Sequence, residues 1–500
     1  MYYQVISGIV CGVEGKLIHV EVDASRGLPC FSMVGYLSSE LKEAKERVIS
    51  ALRSVSFTLP PKRITVNLLP ANMRKAGSSF DFPIAIAILG SFGSFQGEQL
   101  KNAFLAGEMG LDGRLYPVRG LLPMVLAAKK EGILTCFVPE ENEKELIGVQ
   151  GMDIYLVSTL QEMMLHLQGQ RTLRRMEPKR FFLSKRPPYP DFSDVKGQYQ
   201  VKRALEIAAT GRHNLLLIGP AGCGKTLLSR CLPGILPPLE EEELQEVQAI
   251  YSARGVPYEE VGYPPVRNPH HTVTPSAFLG GGTHLLAGEI TLAHRGILFL
   301  DELAEFKKLC LEGLREPMEH HSIAISRAGN RIVFPSDMMV IATMNPCSCG
   351  KYPSPECTCT HAEQVRYRKK ISRPLMERFD MVIWMEGINQ EELHELGETS
   401  LYIAQRVRIG RQKQKERYKM ENYASNSRIP VDRLEEVCQI DEDTKAFIHQ
   451  IFDQKGWSMR EFHHMLKVAR TIADMEEEEQ ISIQHLAEAV SFYNREGIYE

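Results

Sequence analysis

Leu215-Leu216-Leu217-Ile218 runs directly into Gly219-Pro220-Ala221-Gly222-Cys223-Gly224-Lys225-Thr226, and an apolar helical pattern follows over 227–232. Four apolar residues read as a short buried strand. The eight that follow carry the glycine, lysine and threonine spacing of a P-loop, with a strand before and a helix after, as that loop requires. Its glycines let the backbone turn N–H groups inward around phosphates, and the helix start adds partial positive charge. In such a loop Lys225 neutralises β/γ-phosphate charge and the Thr226 hydroxyl ligates Mg²⁺. Gly219, Pro220, Ala221, Gly222, Cys223, Gly224, Lys225 and Thr226 are therefore the expected ATP cradle.

Working outward, Gly296-Ile297-Leu298-Phe299-Leu300-Asp301-Glu302 is a second apolar strand, and it ends in two carboxylates about 75 residues after the loop. Asp301 is expected to hold the Mg²⁺ shell and Glu302 to polarise the attacking water. A third strand over 338–343 delivers Asn345, placed to orient that water beside the γ-phosphate. Arg378 and Arg460 read as charge stabilisers for the transferring phosphoryl group; the plain alternative for each is a surface ion pair.

The chain has 500 residues, 43% of them apolar and 24% charged, the balance of a soluble globular protein of about three domains. The net charge of −4 argues against a nucleic-acid coat but leaves room for a local basic channel. The strongest apolar stretch, 82–89, is far shorter than the roughly 20 residues of a membrane span. The N-terminus has no basic segment followed by a long apolar run, so the expectation is a cytoplasmic protein with no membrane partner. Eleven cysteines then mean reduced thiols or metal ligands.

Strands at 17–22 and 63–69 and helices at 39–54 and 82–89 mark an N-terminal domain over 1–168. Residues 169–191 are basic and rich in proline, as a linker is. An ATPase core is expected over 192–390 and a helical domain over 391–500.

With these residues in place, the chain resembles the Mg-chelatase-like AAA+ ATPases of the YifB/ComM type along essentially its whole length. The likeness is carried by residues 211–239, by 267–282 with Pro269-His270-His271-Thr272-Val273, by 296–305 and by 372–380. It implies an α/β fold of three parts: a Lon-protease-like α+β N-terminal domain, an αβα P-loop core and a C-terminal helical lid. It also implies a homo-hexameric ring with nucleotide at the subunit junctions. Arg378 is then a finger reaching the neighbour's ATP, Arg460 the lid arginine of the second sensor, and Val195 and Gln198 lie near the adenine. Members of this type are implicated in DNA branch migration during natural transformation. Residues 107–128 also resemble the proteolytic domain of Lon. Ser79 falls where Lon has its nucleophile, but Leu122 stands where its lysine base would be, so no peptidase activity is expected.

Cys347, Cys349, Cys357 and Cys359 crowd the loop 347–359, a density that suits one structural Zn²⁺, with His361 as a possible substitute ligand. Residues 323–334 read as a β-hairpin whose tip carries Arg327 and Arg331, suited to DNA phosphates. Leu279-Gly280-Gly281-Gly282 reads as a mobile loop or a second pore element. For the basic run over 406–419, a solvated helix and a DNA contact fit equally well. The leading expectation is an ATP-driven ring on single-stranded or branched DNA, a helicase or branch-migration motor, with any recombination partner unidentified. Its rival is a chelatase-like motor that remodels a protein partner.

Overall fold

The computed structural model describes the chain except for residues 97–99, 180, 182, 283–284, 328–329, 388–396, 422, 441–443, 449–451, 453–456 and 494–500. The chain divides into two compact units, Met1–Phe182 with Glu241–Val261, and Leu183–Glu240 with Gly262–Glu500.

The first unit is built on an eight-stranded mixed sheet. Its spatial order is Arg174–Arg175, Asp153–Val157, Thr135–Pro139, Ala103–Leu105, Tyr2–Cys11, Glu14–Ser25, Arg63–Leu69 and Cys30–Val34. Tyr2–Cys11 and Glu14–Ser25 form a long antiparallel hairpin. In the second of these strands Ile18, Val20, Val22 and Ala24 are buried at every other position, as a sheet with one covered face demands. The helix Asp81–Ser91 is apolar all round because it is buried all round. Its one charge, Asp81, is held by two hydrogen bonds from Arg47.

Two details differ from the sequence reading. Arg174 and Arg175, inside the stretch read as a linker, add an edge strand to this sheet, because their guanidinium groups pair with Glu143 and Asp153. Glu241–Val261, read as part of the ATPase core, packs with the first unit. There Arg119 donates to the Ala253 carbonyl at 2.9 and 2.7 Å, and the Ser252 hydroxyl donates to Glu145 at 2.6 Å.

The second unit contains an all-parallel five-stranded sheet in the order Val266–Arg267, Ile297–Leu300, Met339–Met344, Leu215–Ile218, Met381–Trp384. Leu215, Leu217, Phe299, Ile341 and Ile383 bury against one layer, and Leu216, Ile218, Leu298, Val340 and Val382 against the other. Both faces are covered, so the strands read as unbroken apolar runs. The first of these layers continues into the C-terminal helices Ser400–Arg417, Met459–Met475 and Ile483–Ser491. Met459–Met475 is started by Ser458, which caps it reciprocally with Glu461.

Among the described residues no helix is long and apolar enough to cross a membrane.

Candidate nucleotide site

In a parallel sheet the loops at the carboxyl ends of adjacent strands meet, and here they meet at the glycine loop. Leu215–Ile218 lies between Met339–Met344 and Met381–Trp384, and Ile297–Leu300 lies on the far side of Met339–Met344. The glycine loop, Asp301-Glu302 and Asn345 thus emerge side by side.

Gly222 and Gly224 take φ of +84° and +94°, and a Cβ on either would project into open space. This is backbone laid open for a ligand, in conformations that side chains resist. Gly219 is needed for another reason: a Cβ there would stand 2.8 Å from the Met385 carbonyl. The buried ammonium of Lys225 donates to the carbonyls of Gly219 and Pro220, each at 2.7 Å, and to Oδ1 of Asn345 at 3.1 Å. Burial lowers its pKa, with Cys223 and Asp301 partly opposing.

The Thr226 hydroxyl lies 3.2 Å from Oδ2 of Asp301 and 3.3 Å from Oδ1. Adjacent oxygens on an octahedral Mg²⁺, with bonds of about 2.1 Å, stand about 3.0 Å apart, so this pair fits that ion. Thr343, on the neighbouring strand, donates its hydroxyl to Asp301 and accepts the Glu302 N–H at 3.3 Å. One hydroxyl therefore orients both acidic residues, a role its place in an apolar strand did not signal. Glu302 sits at φ +55° with its side chain half exposed, and its carboxylate lies 3.6 Å from Nδ1 of His271. That histidine carried family resemblance in the sequence but no chemical role.

Gln198 begins the helix Tyr199–Gly211 in a left-handed conformation and donates to the Glu386 carbonyl at 2.8 Å; Val195 is buried nearby in the chain. Arg378 and Arg460 come together on Glu319, and Arg378 also donates to the Arg315 carbonyl at 2.9 Å. Burial raises the Glu319 pKa, but the two arginines outweigh it and hold the carboxyl below its ordinary value. Arg460 therefore shares its partner with Arg378.

Cys347, Cys349, Cys357 and Cys359 bring their four Sγ atoms within 4.8 Å of one another. The Lys351 backbone N–H directed at Cys349 brings that thiol down to about 6, while at Cys357 the Cys359 backbone N–H is outweighed by desolvation and hydrogen bonds with Cys349 and Cys347, which push it up to about 11. His361 starts the next helix, His361–Arg368, which Thr360 caps.

The hairpin is present as Ser322–Arg327 paired with Asn330–Pro335, with Arg327 opposite Asn330 and Ser326 opposite Arg331. Residues 328 and 329 at its turn lie outside the described residues, and the Arg331 side chain is exposed. Gly280–Gly281 pairs with Leu286–Ala287, and a Cβ on Gly281 would meet Ile325 of the hairpin at 3.6 Å. Within the basic helix, Arg406 pairs with Glu206 and Glu398, Lys415 with Glu240 and Arg417 with Asp474, so much of that charge serves the fold.

A P-loop strand separated from its carboxylate strand by a third parallel strand, with an asparagine after that third strand, is the arrangement of an AAA+ ATPase core. Comparison places it further. The family described as "Magnesium chelatase, subunit ChlI" matches residues 191–393, "Subunit ChlI of Mg-chelatase" matches 20–142, and "Magnesium chelatase, subunit ChlI C-terminal" matches 397–493. Competence protein ComM of Haemophilus influenzae is 38% identical over 491 residues, 96% of this chain and 95% of its own. Protein YifB of Escherichia coli is 38% identical over 488 residues, with the same shares covered. The chain belongs to the YifB/ComM-type family of Mg-chelatase-like AAA+ ATPases. The Lon protease of Lachnoclostridium phytofermentans is 28% identical over 177 residues, 32% of this chain and 22% of its own, and the likeness falls on the N-terminal region.

In that region Ser79 is nearly buried, and Leu122 is buried in the helix Leu121–Lys130. Among the described residues no lysine or histidine forms a hydrogen bond with the Ser79 hydroxyl. The neighbouring Ser78 hydroxyl donates to Glu108.

Proposed function

We propose that this chain is an ATP-driven, homo-hexameric ring motor acting on single-stranded or branched DNA, as a helicase or branch-migration enzyme in recombination or natural transformation. The observation that carries this reading is a covalent path. The Arg331 arm of the hairpin, Asn330–Pro335, continues within a few residues into Met339–Met344, the strand that bears Thr343 and leads to Asn345. A change at the γ-phosphate side of the site thus has a direct backbone route to an arginine-bearing hairpin. The full-length likeness to a competence protein supports the same reading.

In this reading Lys225 and the glycine-loop N–H groups hold the ATP phosphates. Thr226 and Asp301 hold Mg²⁺, which supplies charge neutralisation when bound. Glu302 takes the proton of the attacking water and Asn345 orients that water. Arg378 completes the neighbouring subunit's site, with Arg460 held beside it by Glu319. Val195 and Gln198 border the adenine. Arg327 and Arg331 contact DNA phosphates, and the four cysteines hold one structural Zn²⁺.

The test is an ATPase and branch-migration assay on wild type beside Arg327→Ala and Glu302→Gln. Stimulation of hydrolysis by single-stranded or branched DNA, weakened by Arg327→Ala, is expected. Hydrolysis indifferent to all DNA would leave the second reading, a motor that remodels a protein partner. That reading is favoured by the three chelatase-subunit matches spanning the chain.

A further inference from the structure

The loop between Asn345 and Thr360 contains no helix or strand, yet it touches the phosphate-binding machinery twice. At its start, Oδ1 of Asn345 accepts from Lys225 at 3.1 Å. At its middle, the Gly350 carbonyl accepts the backbone N–H of Ala221, inside the glycine loop, at 2.9 Å. Gly350 lies at φ +74°, and its own N–H returns to the Cys347 carbonyl at 3.1 Å. A Cβ on Gly350 would stand 3.4 Å from that of Ala221. The turn that carries Cys347 and Cys349 is therefore the turn that rests on the glycine loop.

An irregular segment of this length costs conformational entropy to hold in one shape, and its few backbone hydrogen bonds do little to offset it. The thiols supply another constraint. Cys347 Sγ lies 3.4 Å from Cys349 Sγ and 3.7 Å from Cys357 Sγ, and Cys349 Sγ lies 3.5 Å from Cys357 Sγ. A disulfide would need about 2.0 Å. The edge of a tetrahedron with Zn–S bonds of about 2.3 Å is about 3.8 Å. The surroundings suit a metal site as well: the Gln364 amide donates to Cys357 Sγ at 3.7 Å and to the Cys359 carbonyl at 3.2 Å, bracing the far side of the cluster.

We infer that Cys347, Cys349, Cys357 and Cys359 bind one Zn²⁺ and that this zinc buttresses the glycine loop through Gly350 and Ala221, so that nucleotide affinity depends on the metal. The inference rests on the glycine loop being the ATP site. It assigns the cluster a positioning role in ATP binding rather than one in DNA contact or subunit assembly.

The experiment measures zinc per chain and the Kd of a fluorescent ATP analogue on the full chain purified without chelators. Cys357→Ser with Cys359→Ser removes the two ligands distant from the glycine-loop contact. This double variant is expected to lose its zinc and to bind the analogue about tenfold or more weakly, the scale of effect that follows when a cradle is displaced by about an ångström. Wild-type chain stripped by a chelator, freed of it and then given zinc provides the same comparison without substitution; loss and recovery of affinity are expected. Lys225→Ala should abolish analogue binding while keeping zinc, so a failure of the ATP assignment is told apart from a failure of the zinc assignment. Fewer than about 0.2 zinc per wild-type chain, or iron–sulfur absorbance in its place, would overturn the metal. A zinc-free chain that binds the analogue as tightly as the zinc-loaded one would overturn the buttress.

Discussion

Arg378 and Arg460 donate to opposite oxygens of one carboxylate, Glu319, which lies 59 residues before the first and 141 before the second. Two arginines gathered on one acid are held as a pair, and in the proposed ring that pair would complete the neighbouring subunit's site. Subunits of Arg378→Ala and of Lys225→Ala should each lack ATPase activity, the first by about 10³-fold or more. When the two are mixed, junctions form in which an intact glycine loop meets an intact Arg378, and activity should return in part. Mixed subunits that stay inactive would place Arg378 in its own chain's site. Glu319→Gln, which frees both arginines from their shared partner, should lower turnover with little change in ATP affinity.

Glu302 is exposed enough to meet water, and its backbone N–H is fixed by Thr343. Glu302→Gln should bind ATP and reduce turnover by about 10²-fold or more, as loss of a general base does. Single-turnover measurements separate this from a loss of binding.

The hairpin and the strand Met339–Met344 are joined through Asp337, which is surrounded by Arg212 at 3.4 Å, Arg295 at 3.0 Å and Arg428 at 2.8 Å. Burial alone would raise this carboxyl, but the three guanidinium groups hold it well below the ordinary range. Its stabilising contribution is present above the unfolded value, near 3.8, and is lost only as pH falls below it. Asp337→Asn removes the carboxylate shared by the buried Arg212 and Arg428 and the half-buried Arg295, so a loss of about 3–5 kcal/mol is expected at pH 7, read by denaturant unfolding.

Acid sensitivity should begin well above that. His321 is half-buried, and desolvation with nearby Arg428 pushes it down to about 3 from 6.5. A histidine kept neutral in the fold stabilises fully above its unfolded value, and that stability drains away as pH falls from 6.5 toward 3, by about 1.4 kcal/mol per pH unit. Fully buried His213 shifts in the same direction. Tm should therefore decline from pH 6.5 to 4.5. His321→Asn, which tolerates the left-handed backbone at this position (φ +55°), should flatten the decline.

The N-terminal unit should have no peptidase activity. Purified protein with ATP is expected to leave casein intact, since among the described residues no lysine or histidine bonds the Ser79 hydroxyl, and a buried Leu122 stands where the likeness to Lon would put the lysine. Cleavage abolished by Ser79→Ala would overturn this.

The parts of the site legible in the sequence are those whose chemistry is contiguous. The glycine loop, Asp301-Glu302 and Asn345 each sit at the end of an apolar strand, and the parallel sheet assembles them without further information. The four cysteines were legible for the same reason. Glu319, Thr343 and Gly350 were not: each acquires its role from a segment that only tertiary packing brings near. The strands at 63–69 and 215–218 and the helix at 39–54 follow from local periodicity. The allegiance of Glu241–Val261 does not, because an amphipathic helix does not encode which of two apolar surfaces it will cover.

That last segment has a practical consequence for dissecting the protein. The polypeptide passes between its two units three times: after Phe182, before Glu241 and after Val261. A single cut in 169–191 therefore cannot release a whole ATPase. A fragment beginning at Leu183 would still carry Leu244, Val247 and Ile250 with no surface to cover them, and it would aggregate for reasons unrelated to its chemistry. A tractable ATPase fragment needs 241–261 replaced by a short polar loop joining Glu240 to Gly262. The backbone already permits this, since the N–H of Leu239 donates to the Gly262 carbonyl at 2.9 Å.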